Sequence, residues 1–160
     1  LGHVPGEAAA LGIHEGRVLR GQVGADDRPG VAPVVGPEQV VAPEYAGPSQ
    51  PKVLLVCWGS SKAAVFEVVE MMNHAGETWA ALAFSQVWPL VPEQFCHWLQ
   101  EAGEVISVEG NAEGQFGRLI QQEAGLTIDR HLGRYDGLPI TPDFIIRQFD
   151  KLQEAAGRGR

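Results

Sequence analysis

Val53-Leu54-Leu55-Val56-Cys57-Trp58 restricts the fold more than any other stretch of this chain. It is an unbroken apolar run of strand length. A strand with no polar side has to be covered above and below, which is the situation of a strand inside a parallel sheet. The residues after it fit a strand, turn and helix unit. Gly59-Ser60-Ser61 reads as a turn, with Ser60 placed to cap a helix. Ala64, Val65, Val68, Val69 and Met72 then recur at three-to-four spacing, with Glu67 and Glu70 on the other side, until Gly76 stops the helix.

The same unit returns twice. Thr78 to Phe84 is strand-like, and Val87-Trp88-Pro89-Leu90 is the loop after it. Pro92 suits the first residue of a helix, with Glu93 near the positive end of its dipole, and Phe95, Trp98, Leu99 and Ala102 form the buried stripe up to Gly103. Val105 to Val108 is the third strand. It runs through Glu109-Gly110-Asn111-Ala112-Glu113-Gly114-Gln115 into a helix carrying Phe116, Leu119, Ile120 and Ala124, closed by Gly125. A weaker strand is expected over 126–128, a turn at Tyr135-Asp136-Gly137, and a last helix opened by Thr141-Pro142 with Phe144, Ile145, Gln148, Phe149 and Leu152 as its stripe. This alternation predicts an α/β fold in three layers: a parallel or mostly parallel sheet with helices on both faces. In such sheets ligands gather at the carboxyl ends of the strands. Here those ends carry Gly59-Ser60-Ser61, 85–89 and 109–115.

Residues 1–51 read differently. Pro5, Pro29, Pro33, Pro37, Pro43 and Pro48 are six of the eleven prolines, and apolar periodicity is weak. Ala9, Ile13, Val18 and Leu19 make a ragged stripe compatible with a short helix over 8–23, and 24–51 is expected to be a linker or extended arm. The expected division is therefore an irregular arm over 1–51, an α/β domain over 52–156 and a frayed tail over 157–160. The chain opens on Leu1 rather than methionine, which suggests a segment of a longer protein.

Bulk properties narrow the function. A formal charge of -8 repels phosphate backbones and anionic lipid, so nucleic acid and membrane surfaces are poor partners. No apolar stretch approaches the length of a membrane span, and the first ten residues lack a signal-peptide layout. Cys57 and Cys96 stand singly among apolar neighbours, which predicts buried reduced thiols, suits a cytoplasmic location and offers no iron–sulfur or zinc site. The histidines His3, His14, His74, His97 and His131 show no metal-ligand spacing.

Three stretches are candidates for chemistry. Gly59-Ser60-Ser61, with two hydroxyls at a helix start, either holds an anion or is a plain capped turn; it lacks the ending of a P-loop. Glu109, Asn111, Gly114 and Gln115 place polar groups at the end of a core strand, where they need partners: a ligand, a neighbouring subunit or each other. Trp88 is either buried against the sheet end or an interface anchor.

In this order, Val53 to Ser61, Val87-Trp88-Pro89-Leu90, Val108 to Gln115 and Tyr135-Asp136-Gly137-Leu138-Pro139 resemble the carboxyl-terminal part of the alpha subunit of 2-oxoacid:ferredoxin oxidoreductases, most like the 2-oxoglutarate type. The third motif has Glu113 where that family has Thr or Ser, and the fourth has Leu138 where it has Arg. The resemblance covers roughly 52–152. It implies a fold like the transketolase carboxyl-terminal domain, within an enzyme that oxidatively decarboxylates a 2-oxoacid to acyl-CoA and passes electrons to ferredoxin. It implies that thiamine diphosphate, magnesium and the iron–sulfur cluster sit in partner subunits or domains, and that this segment carries no catalytic or metal-binding residue. It further implies a scaffold that contacts the thiamine-binding beta subunit, with Gly59, Ser60, Ser61, Trp88, Glu109, Asn111, Gly114 and Gln115 nearest that contact or the coenzyme A path. Two other readings stay open: an independent flavodoxin-like module binding a small anion, and the carboxyl-terminal domain of a different thiamine diphosphate enzyme.

Overall fold

The structure, a computed structural model, describes residues 39–157. The short helix expected over 8–23 and the tail beyond 157 lie outside those residues. Three central strands form where the apolar runs predicted them: β2 (Val53–Trp58), β3 (Trp79–Phe84) and β4 (Glu104–Glu109). Two edge strands complete the sheet, β1 (Glu44–Ala46) and β5 (Arg130–Gly133), in the order β1-β3-β2-β4-β5. β3, β2, β4 and β5 run parallel, while β1 pairs antiparallel with β3.

Alternation along each strand divides the core in two. Val53, Leu55 and Cys57 of β2, with Trp79 of β3 and Ile106 of β4, face a cluster closed by α1 (Lys62–His74) and α4 (Pro142–Gly157) through Val65, Val68, Phe144 and Ile145. Leu54 and Val56, with Leu82 and Phe84, face a second cluster closed by α2 (Cys96–Glu101) and α3 (Gln115–Ala124) through Phe95, Leu99, Phe116 and Ile120. The three-layer arrangement is thus the one the sequence predicts, with every residue from Val53 to Cys57 buried.

The chain departs from expectation at its edges. β1 lies within the segment read as an arm. Three residues beside Pro43 and Pro48 are too few to show a strand period, and what holds them is tertiary. Tyr45 stacks on Trp98 at 3.8 Å between ring centroids, and Gly47 passes so close to Ala80 that a Cβ would meet it at 2.7 Å. The strand expected over 126–128 is displaced to β5. Asp129 is the hinge: its backbone N–H donates to the Val105 carbonyl at 2.9 Å and its carboxylate accepts from the Val105 N–H at 2.7 Å, so pairing starts after it. The helix expected from Pro92 is split into a 3-10 turn, Pro92–Gln94, and α2, because Phe95 takes φ -142° to drop its ring into the second cluster. Cys57 is buried as expected, but Cys96 is only partly so. No helix among the described residues is long and apolar enough to cross a membrane.

α1 is tied to β3 by one side chain. Asn73 Nδ2 donates to the Trp79 carbonyl at 2.9 Å, and its Oδ1 accepts from the Trp79 N–H at 2.8 Å. Substituting Asn73→Ala leaves both backbone groups of a buried strand residue without these partners. It should destabilise the chain by about 1–3 kcal/mol in urea denaturation, whereas an exposed change such as Glu70→Ala should stay within about 0.5 kcal/mol. Burial also pushes the Cys57 thiol up from 9.0 to about 12, with Lys62 opposing weakly. With few thiolates available at that position, a thiol reagent at pH 8 should modify Cys96 in the native chain and reach Cys57 only on unfolding, which mass spectrometry of the labelled peptides reads directly.

Candidate functional site

The order of the central strands creates the site. From β2 the chain crosses through α1 to β3 on one side, then through α2 to β4 on the other. The helices that follow β2 and β4 lie on opposite faces of the sheet, and a crevice opens between the carboxyl ends of β2 and β4, the topological switch point where α/β sheets take ligands. The crevice has a volume of about 260 Å³. Its walls are Trp58, Ser60 and Ser61 after β2, Gly110 after β4, and Leu138, Pro139 and Ile140 ahead of α4. Residues from three of the four motifs singled out in the sequence therefore meet around one opening.

On the β2 side, Gly59–Ser61 forms a 3-10 turn leading directly into α1. The cap expected from Ser60 is not made. No side chain caps the turn or α1, because the extra turn carries Ser60 outward, where it is exposed. Ser61 is 8% exposed and lines the crevice.

The β4 side is arranged oppositely. Glu109 ends β4 and is 0% exposed. Its Oε1 accepts from the Gly117 N–H at 2.9 Å, and its Oε2 accepts from the Phe116 N–H at 2.9 Å and from Asn111 Nδ2 at 2.8 Å. The carboxylate thus occupies the positive start of α3, where a bound anion would otherwise sit. Asn111 Oδ1 accepts from the backbone N–H of Glu113 and Gly114 at 3.1 and 2.7 Å, closing the turn. Gly114 stands at φ 63°, and a Cβ there would come within 3.1 Å of the His131 ring. Both its dihedral and its neighbour require glycine. The polar residues of this stretch find their partners chiefly in one another. Gln115 opens α3 with its side chain exposed.

His131, which nothing in the sequence distinguished from the other histidines, buttresses this turn from β5. Its Nε2 lies 3.1 Å from the Asn111 carbonyl and its Nδ1 2.9 Å from the Ser107 hydroxyl. A carbonyl can only accept, so Nε2 carries the proton and donates, and Ser107 donates to Nδ1. The contact joins residues 24 apart in sequence, which no local pattern reveals.

The fourth motif is held by Arg134, whose Nε donates to Asp136 at 2.9 Å and whose Nη1 donates to the Pro139 carbonyl at 2.7 Å. The Leu138 N–H donates to the same carboxylate at 3.0 Å. These bonds, the one from Arg134 first, hold the exposed Asp136 carboxyl below its ordinary range. They also fix Leu138 and Pro139 as a wall of the crevice. Trp88, in the loop after β3, is not among the lining residues; it is 60% exposed, with its carbonyl accepting from Gln86 Nε2 at 3.1 Å. A larger groove of about 560 Å³ runs along β5 and α4, past Leu132, Arg134, Phe144 and Lys151, and reaches Ala112 beside the Asn111 turn.

No protein-family model matches the chain. Over 99 residues it is 30% identical to 2-oxoacid:ferredoxin oxidoreductase 1, subunit alpha, of Aeropyrum pernix, covering 61% of this chain and 16% of that subunit. The chain is thus similar in sequence to one stretch of a 2-oxoacid:ferredoxin oxidoreductase alpha subunit. Among solved structures, it superposes with a TM-score of 0.66 and 23% identity on the 2-oxoglutarate:ferredoxin oxidoreductase of Magnetococcus marinus, a structure with 2-oxoglutarate, coenzyme A and succinyl-CoA bound. That match covers 71% of this chain and 20% of the other. A split-gene transketolase matches with a TM-score of 0.51 and 17% identity, over 76% of this chain and 45% of that one. These two likenesses support the transketolase-like fold. The chain spans less than a quarter of the length of the alpha subunit it matches in sequence.

The Glu109 network yields a sharp expectation. Substituting Glu109→Gln keeps the shape but turns an NH2 toward backbone N–H donors. It should cost about 2–3 kcal/mol of stability in urea denaturation, the value of hydrogen bonds to a buried charge. A loss below about 0.5 kcal/mol would show that the carboxylate does not organise the turn.

Proposed function

We propose that this chain is a domain of the alpha subunit of a 2-oxoacid:ferredoxin oxidoreductase of the 2-oxoglutarate type, acting in a cytoplasmic complex that oxidatively decarboxylates a 2-oxoacid to acyl-CoA. The observation that carries this reading is the 30% identity to such a subunit over 99 residues, in a chain whose sheet and helices share the same fold. The domain's part is to scaffold the subunit and contact the thiamine-carrying beta subunit, and it catalyses nothing alone.

The described residues support leaving the cofactors to partner subunits or domains. Magnesium diphosphate needs carboxylate or amide oxygens that are free to coordinate. On this rim the buried carboxylate of Glu109 is already engaged by Phe116, Gly117 and Asn111. Among the described residues no three His, Cys, Asp or Glu side chains are grouped to hold a metal ion. Both observations favour placing the thiamine–magnesium group and the iron–sulfur cluster elsewhere. In this reading those groups, further subunits and the encounters with ferredoxin and coenzyme A belong to the assembled complex.

The rim is suited to docking. Trp58, Trp88, Tyr135 and Leu138 are large apolar side chains, each more than 40% exposed, at the end of β2 and in the loops after β3 and β5. Aromatic side chains held on a rigid rim are the usual anchors of an interface. Tagged and co-expressed with its flanking reading frames, the chain should co-purify with a thiamine-binding subunit. The assembly, and not the isolated chain, should reduce ferredoxin in the presence of a 2-oxoacid and coenzyme A. Trp88→Ala should weaken the association by about tenfold or more. A chain that ignores that subunit, or that turns over alone, defeats the proposal.

A further inference from the structure

The groove of about 560 Å³ along β5 and α4 lies on an open side of the molecule. β5 is the last strand of the sheet, so no further described strand closes the groove on its outer side. Leu132, Phe144 and Leu152 give it an apolar lining. Tyr135 stands in the same lining and is 76% exposed, one of the large side chains of the rim. The groove is thus continuous with the surface read above as a docking face.

Its charge is out of keeping with the chain. The formal charge is -8, yet two cations, Arg134 and Lys151, line the groove, and Asp136 is the one carboxylate among the described lining residues. Arg134 binds that carboxylate itself at 2.9 Å and lies over the Phe144 ring at 4.8 Å. Lys151 is exposed and has no ion pair or hydrogen bond among the described residues. Asp150 and Glu154, its acidic neighbours on α4, are not among the lining residues. Arg130 adds an independent sign. Side chains two apart on a strand share a face, so Arg130 lies on the Leu132 side of the sheet. Its Nε donates to Glu104, but its Nη1 is buried without a hydrogen-bond partner, the one such side-chain atom among the described residues. On this face the described residues leave cationic donors unmatched, and such donors call for an acceptor from outside.

We propose that this groove receives a short acidic segment of the partner subunit, with a carboxylate on Lys151 and an apolar side chain between Tyr135 and Leu152. The inference rests on the docking role proposed above and adds the chemistry of the partner's contact. Charge complementarity selects it. A basic or wholly apolar segment would cover Lys151 without pairing it, at the cost of a desolvated charge, whereas a carboxylate pairs it and steers the encounter.

The test is the affinity of the full chain for the thiamine-binding subunit of the flanking reading frames, measured at low and at high salt. Lys151→Glu should weaken association about tenfold at low salt and far less at high salt, because salt screens an exposed charge pair. Lys151→Gln should fall between the two. Lys52→Glu makes the same change of charge at an exposed lysine outside the groove and should weaken association less than about twofold. Circular dichroism checks that each variant is folded. A loss in Lys151→Glu no larger than that in Lys52→Glu, with Trp88→Ala still weakening association, overturns the groove and leaves the docking role standing. A loss in Lys151→Glu that is the same at both salt concentrations overturns the acidic character of the segment. Failure of the unaltered chain to associate overturns both readings.

Discussion

A strand with no exposed face determines the rest of this molecule. All of Val53 to Cys57 is buried, so β2 must have a neighbour on each edge to satisfy its amides and carbonyls and a helix layer on each side to cover its side chains. Parallel neighbours on both edges can only be reached by crossovers, one from β2 to β3 and one that returns from β3 past β2 to β4. The crevice at its carboxyl end is the geometric consequence. The apolar run and the candidate site are thus one constraint seen at two levels, first as burial and then as topology.

At that crevice the chain solves the same electrostatic problem in two ways. Each helix start presents unsatisfied N–H groups. Across from β4 the solution is internal: a buried glutamate, oriented by Asn111 and supported through Ser107 and His131, sits where an external anion would sit. Beside β2 no such group exists, and a short 3-10 turn holds two serines at the opening. The contrast explains why the polar stretch 109–115, the most conspicuous in the sequence, is chiefly a structural device, while the plainer Gly-Ser-Ser turn keeps the open surface. It also explains the pattern of the turn. Glutamate, asparagine and glycine each answer one need: two helix amides, the amides of the turn, and a left-handed residue against an imidazole.

The edges behave differently from the centre. β1 is kept by a Tyr45–Trp98 stack and by the approach of Gly47 to Ala80, contacts across more than thirty residues of chain, and β5 by the grip of Asp129 on Val105. Edge strands of three and four residues carry too few side chains for a period to register. The split at Phe95 has the same origin. Pro92, Phe95, Trp98 and Leu99 have helical spacing, but the second core cluster pulls the Phe95 ring against Phe84 at 5.2 Å and the backbone yields.

What the sequence determined by itself is what depends on local burial. Apolar runs placed β2, β3 and β4, three-to-four spacing placed α1, α3 and α4, and glycines placed the turns and helix ends, because each of these is decided within one or two turns of chain. The tertiary structure decided what depends on residues far apart: the edge strands, the partners of Glu109 and His131, and the meeting of Trp58, Gly110 and Leu138 around one crevice. A hydrogen bond or a wall between segments dozens of residues apart has no period and no local signature. It exists only once the strands have taken their order.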